Sequence, residues 1–173
     1  MPPGQLPVEH CHLAFANAGA RWIGSSHPFD LHEAYLCFRS PAGWRLTQRP
    51  QRAELLLTAD SRYRLWVNGQ PVARGPARCY PHAQRVDRLD ITPLLQAGAN
   101  LLAVQVYQPG YSHFAYVHRG NAGVLALLRC DGQVALITGA DWRTRRDQSY
   151  VQQPASRMSI YQAGVEDRIM ALS

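Results

Sequence analysis

Lysine is absent from this chain. All 18 basic residues among its 173 are arginine, set against 12 acidic ones, for a formal net charge of +6. That absence removes Schiff-base, P-loop and lysine general-base chemistry, each of which needs an amine that can approach or shed its proton. Guanidinium stays charged and can only bind, orient or solvate. Long apolar runs are also missing: none approaches the roughly 20 residues of a membrane-spanning helix, so no membrane partner is expected. At 17% charged and 9% aromatic, the chain has too little charge and too many rings for disorder. No GxSxG, HExxH, P-loop or GxGxxG motif is found. Met1-Pro2-Pro3-Gly4-Gln5 lacks a basic n-region and an apolar h-region, so no signal peptide is read. The four cysteines (Cys11, Cys37, Cys79 and Cys130) form no CxxC pair. They read as free thiols, with Cys37 and Cys130 serving as small hydrophobes in strand patterns. A cytoplasmic setting is the expectation.

The excess of positive charge raises nucleic-acid binding as a reading. The arginines, however, are scattered singly from Arg21 to Arg168, and the densest cluster is Arg143, Arg145 and Arg146. No RNP, helix-turn-helix or zinc-finger spacing accompanies them. A solvated surface is expected, with no nucleic-acid partner.

Helix periodicity is scarce, and short β-rich runs between turn signals take its place, which is the pattern of an all-β sandwich. Residues 1–30 read as an irregular N-terminal segment, 31–150 as one β-sandwich domain, and 151–173 as a C-terminal extension toward a downstream domain. Within the domain, Glu33–Arg39, Arg52–Thr58, Arg62–Val67, Pro71–Arg74, Asn100–Tyr107, Val124–Cys130 and Gln133–Thr138 are the expected strands. In Arg62–Val67 the residues Tyr63, Leu65 and Val67 alternate with Arg62, Arg64 and Trp66, a period of two with one buried face. Asn68-Gly69 and Asp131-Gly132 supply hairpin turns, because both central positions reach φ > 0 at low cost. Thr92 is read as the N-cap of a short helical turn with Pro93 at its first position.

Chemical constellations are thin. His10-Cys11-His12 has metal-ligand types, but no second Cys/His pair stands at zinc spacing, and no metal site is assigned. Asp87 and Asp90 are close in sequence yet border a turn, where capping and solvation are the ordinary roles. No catalytic residue is assigned. Carbohydrates are held by aromatic faces and by Asn, Asp and Arg hydrogen bonds, usually from loops at one end of a sandwich. On that ground Trp66, Asn68, Tyr111 and His113 are the candidate sugar contacts; Tyr116 and His118 share the long loop of Tyr111 and His113.

One stretch carries a family resemblance. From Ala59 the chain reads ADSRYRLWVNGQPVARGPAR, and from Asp87 DRLDITPLLQAGANLLAVQVYQPG. The hairpin Y-x-L-x-V-N-G-x-x-V-x-x-G-P followed by D-[LI]-T-x-x-L-x-x-G-x-N-x-[LI]-A-V resembles the N-terminal β-sandwich of bacterial α-L-rhamnosidases of glycoside hydrolase family 78. The likeness covers roughly residues 50–130. Trp22-Ile23 and Asp141-Trp142-Arg143 sit where such proteins have an opening W-I and a closing W-[KR] strand. The resemblance implies a galactose-binding-like jelly roll with little helix, a fold shared with other enzymes. It implies a non-catalytic module whose partner is a separate α/α toroid that supplies the catalytic acids, and it transfers no catalytic carboxylate to any residue here. The alternative is a lectin-like module for rhamnose or a related saccharide. Some family sandwiches bind rhamnose through calcium; no calcium ligand is assigned to a position here, so that cofactor is left open.

Overall fold

The computed structural model describes residues 8–25, 33–112, 116–117 and 123–150, together with the backbone of 155–159 and 162–164; of residues 8–11 and 81 it likewise gives the backbone alone. In chain order the elements are α1 (Val8–Asn17), β1 (Ile23–Gly24), β2 (Ala34–Arg39), β3 (Arg45–Leu46), β4 (Ala53–Asp60), β5 (Arg62–Val67) and β6 (Gln70–Gly75). There follow β7 (Asp87–Asp90), β8 (Gly98–Ala99), β9 (Leu102–Gln108), β10 (Gly123–Cys130), β11 (Gln133–Ile137) and β12 (Arg143–Arg146), with a hairpin of β13 (Ala155–Ser159) and β14 (Gln162–Gly164).

Two antiparallel five-stranded sheets face each other. Sheet A runs β1-β10-β4-β7, with β11 also paired to β10, and sheet B runs β12-β2-β9-β5-β6. The all-β sandwich expected from the period-two pattern is the fold. Its core joins Leu55, Leu57, Val124, Ala126 and Leu128 of sheet A to Leu36, Phe38, Leu65, Val67, Val104 and Val106 of sheet B. Both Asn68-Gly69 (φ 49° and 82°) and Asp131-Gly132 (φ 50° and 83°) turn in the left-handed region, the conformation a two-residue hairpin of this hand requires.

The N-terminal stretch departs from the irregular reading, because Val8–Asn17 is a helix. Its apolar signal is faint, and a helix this short is marginal alone. What holds it is docking: Phe15 packs with Leu56, Val86, Leu125 and Leu127 on the outer side of sheet A. The same contact explains why β4 and β10 carry runs of leucine rather than clean alternation, since both of their faces are buried. His10, Cys11 and His12 therefore lie on this helix; His12 is exposed.

Thr92 also differs in detail. It begins a 3-10 turn, Thr92–Leu94, and the capping acceptor is Asp90, which receives the Thr92 N–H at 3.0 Å and its hydroxyl at 2.5 Å. The Thr92 oxygen in turn accepts the Ala53 N–H at 2.7 Å. These bonds hold the Asp90 carboxyl below its usual range. Cys37, Cys79 and Cys130 are free thiols. No helix among the described residues is long and apolar enough to cross a membrane.

Candidate functional site

The expected sugar contacts do not converge. Trp66 stands half-buried on the outer face of sheet B, opposite Ala103. Tyr111 follows β9 at the other end, where Arg62 pairs with Tyr107; the four residues from Trp66 back to Arg62 alone span about 13 Å. The Asn68 carboxamide is engaged by its own chain. It donates to Leu94 O at 2.8 Å and Asn100 Oδ1 at 2.9 Å, and accepts the Leu101 N–H at 2.8 Å. His113 lies outside the described residues.

The end of the sandwich beyond Arg62 is better furnished. There a cleft of about 180 Å³ opens between the Asp60-Ser61 turn, the Pro76–Cys79 segment, Gln84 and Tyr116-Val117, with Arg62 and Arg78 on its wall. Asp60 is buried, and its Oδ1 accepts the Tyr116 hydroxyl at 2.5 Å. Gln84, also buried, donates to Thr58 Oγ1 at 3.1 Å and Ala59 O at 3.2 Å. Ser61 donates its hydroxyl to Tyr107 O at 2.9 Å. The volume falls below the roughly 300–1,000 Å³ of sites for drug-sized ligands, a size suited to one small polar ring. Carboxylate, guanidinium and hydroxyl groups in one cleft can bind and orient a polyol.

A second carboxylate stands at this end. Glu33 is buried at φ 44° and accepts the hydroxyls of Tyr107 at 2.6 Å and Tyr111 at 2.8 Å. Burial, then the bond to Glu33, pushes the Tyr107 phenol far up. Tyr63 is raised the same way by burial and by its 2.5 Å bond to Asp87. Asp87 and Asp90 thus serve the fold, as their place at a turn predicts. Calcium takes six to eight oxygen ligands, and among the described residues no three His, Cys, Asp or Glu side chains converge on one point.

Little in the order of residues announces this cleft. Tyr116 stood out in its loop, but Asp60, Arg62, Arg78 and Gln84 belong to three separate segments that only the sheet pairing brings together. Gly75 is the exception. A Cβ there would lie 2.1 Å from Asp87 Oδ2 and 2.9 Å from the Tyr63 ring, so the G-P of the resemblance motif marks the place where β6 passes the Tyr63–Asp87 pair.

An antiparallel sandwich with a small polar cleft among its end loops defines the class: a β-sandwich module of the kind used for support or for ligand capture. Comparison with solved structures narrows it. The chain is similar to the GH78 family rhamnosidase of Bacillus sp. GL1, at 39% identity and a TM-score of 0.66, over 76% of this chain and 14% of that one. It shares the fold of the α-L-rhamnosidase of Aspergillus terreus (23% identity, TM-score 0.59, 77% of this chain and 17% of that one). It shares it also with a Pleurotus ostreatus lectin solved in complex with GalNAc (20%, TM-score 0.51, 88% and 42%). No family model and no curated protein matches the chain. The chain is a β-sandwich domain of the kind found in family 78 rhamnosidases, and it spans about one-seventh of the length of the Bacillus enzyme it matches.

Proposed function

We propose that the chain is a non-catalytic accessory module of an α-L-rhamnosidase-like glycoside hydrolase, packing against an α/α toroid that carries the catalytic acids and helping to shape the approach to its substrate cleft. The observation that carries this reading is the pairing of 39% identity over 76% of this chain with coverage of only 14% of the Bacillus rhamnosidase. The acids also support it: of the described carboxylates, Glu33, Asp60, Asp87 and Asp90 are all engaged by hydroxyl or amide donors of the fold. A cytoplasmic setting belongs to the same reading, supported by the free thiols Cys37, Cys79 and Cys130. The test is a chimera. Replacing the matching segment of the Bacillus enzyme with this chain is expected to preserve hydrolysis of an aryl rhamnoside, while the purified chain alone releases no nitrophenol. Turnover that tracks the purified chain, or a chimera that folds but is inactive, overturns the reading.

The end cleft favours a second reading, a lectin-like module for a small saccharide. Its contacts would be Asp60, Arg62, Arg78 and Tyr116 in place of Trp66 and Asn68. Titration with rhamnose and related sugars, with and without calcium, should then give heat that is lost in Arg78→Ala; silence at millimolar sugar excludes it.

A further inference from the structure

The outer face of sheet B is built from three cross-strand rows. Arg143, Arg39, Ala103, Trp66 and Pro71 form the first; Arg145, Cys37, Gln105, Arg64 and Arg74 form the second; Tyr35, Tyr107 and Arg62 lie in the third. Six arginines (Arg39, Arg62, Arg64, Arg74, Arg143 and Arg145) are exposed on this face. None of their guanidinium groups makes a hydrogen bond or ion pair among the described residues, where both ion pairs belong to Glu54 of the other sheet. Arg39 stands directly opposite Arg143, and Arg64 directly opposite Arg74. Like charges so placed repel across the ladder. The neighbouring carboxylate, Asp147, is turned to Gln105 and Cys37 instead.

We propose that this face binds a carboxylate-bearing polysaccharide. Guanidinium forks match carboxylates in a bidentate geometry and are more weakly hydrated than ammonium. Two pairs of them, Arg143 with Arg39 and Arg64 with Arg74, sit on adjacent strands about 4.8 Å apart and present charge at more than one point to a repeating polymer. The middle row of the face is Arg145, Cys37, Gln105, Arg64 and Arg74 and carries no aliphatic or aromatic side chain, with Trp66 and Tyr107 flanking it as separate half-buried rings, whereas a protein interface needs a continuous desolvated apolar centre. Tyr35, which could stack on a nucleobase, is already stacked on Tyr150 at 3.8 Å. Arg62 belongs both to this face and to the end cleft, so a bound chain would run toward the cleft mouth. The choice of polysaccharide over other polyanions rests on the carbohydrate-enzyme reading above.

Affinity electrophoresis of the chain in polygalacturonate, in its fully methyl-esterified form and in single-stranded DNA tests the proposal. Retardation is expected in polygalacturonate at about 50 mM salt, weakening as salt rises, with none in the ester. Arg39→Gln/Arg143→Gln and Arg64→Gln/Arg74→Gln should each weaken apparent affinity by about fivefold or more. Arg52→Gln/Arg129→Gln removes the same charge from sheet A and should leave it unchanged. Equal loss in that control, equal binding of the ester, or tighter binding of DNA at matched salt overturns the proposal. The chimera experiment reads a different property, so failure here leaves the accessory-module reading standing.

Discussion

Outside sheet A, Phe15 of α1 covers Leu56, Leu125 and Leu127, and Glu54 stands between arginines, bonded to Arg52 and Arg88 and opposite Arg129. Outside sheet B no helix is packed among the described residues, and none of the six exposed arginines forms an ion pair with a described carboxylate. The strands of both sheets come from one arginine-only vocabulary, so composition does not explain the contrast. Neighbours do. Where acids are interleaved with arginine the face is closed on itself, and where they are withheld it keeps its charge for something outside.

The contrast can be broken at its apolar half first. Phe15→Ala should uncover the leucines of sheet A and cost about 3 kcal/mol, read as a lower denaturation midpoint with helix signal lost early; an unchanged midpoint would mean that α1 is not a structural cover. On sheet B the sign reverses. Arg64→Gln/Arg74→Gln removes a like-charge pair and should raise stability by about 0.5 kcal/mol at low salt, the gain shrinking as salt is added, whereas a loss would show that the two guanidinium groups support the sheet. A further effect, confined to alkaline pH, concerns Cys37, whose thiol burial and the adjacent Asp147 charge push up to about 11 from 9.0. A group raised in the folded state stabilises fully below its unfolded value and loses that contribution as pH climbs. Stability should therefore decline between about pH 9 and pH 11, and less so in Cys37→Ala. Equal pH curves for the two proteins would remove Cys37 from the account.

Most of the sheet architecture was legible because period-two burial and the Asn-Gly and Asp-Gly turns are local facts. Arg62–Val67 runs over the residues that the alternation marked. The helix was not legible: its stability resides in Phe15 meeting leucines more than a hundred residues away in β10, a contact that no window of sequence contains. The leucine runs at Leu55–Leu57 and Leu125–Leu128 did hold a hint, since a strand apolar on both faces demands a cover on each. The family resemblance rested on residues that turn out to be structural. Asn68, Gly75 and Asn100 fix turns and close approaches, so the motif marks the scaffold. The cleft was hidden for the opposite reason, because its polar residues are ordinary loop residues until pairing gathers them.

Tyr63 belongs to sheet B and Asp87 to sheet A, so their hydrogen bond ties the two sheets together at one edge, and Gly75 lies against that tie without room for a side chain. The segment that walls the cleft departs from Gly75 at Pro76 and returns at Gln84, itself bonded to Thr58 and Ala59. Both feet of this arch stand on the core. A ligand entering the cleft would meet on this side a wall anchored at both ends, so that little of its binding energy would be spent on ordering the arch.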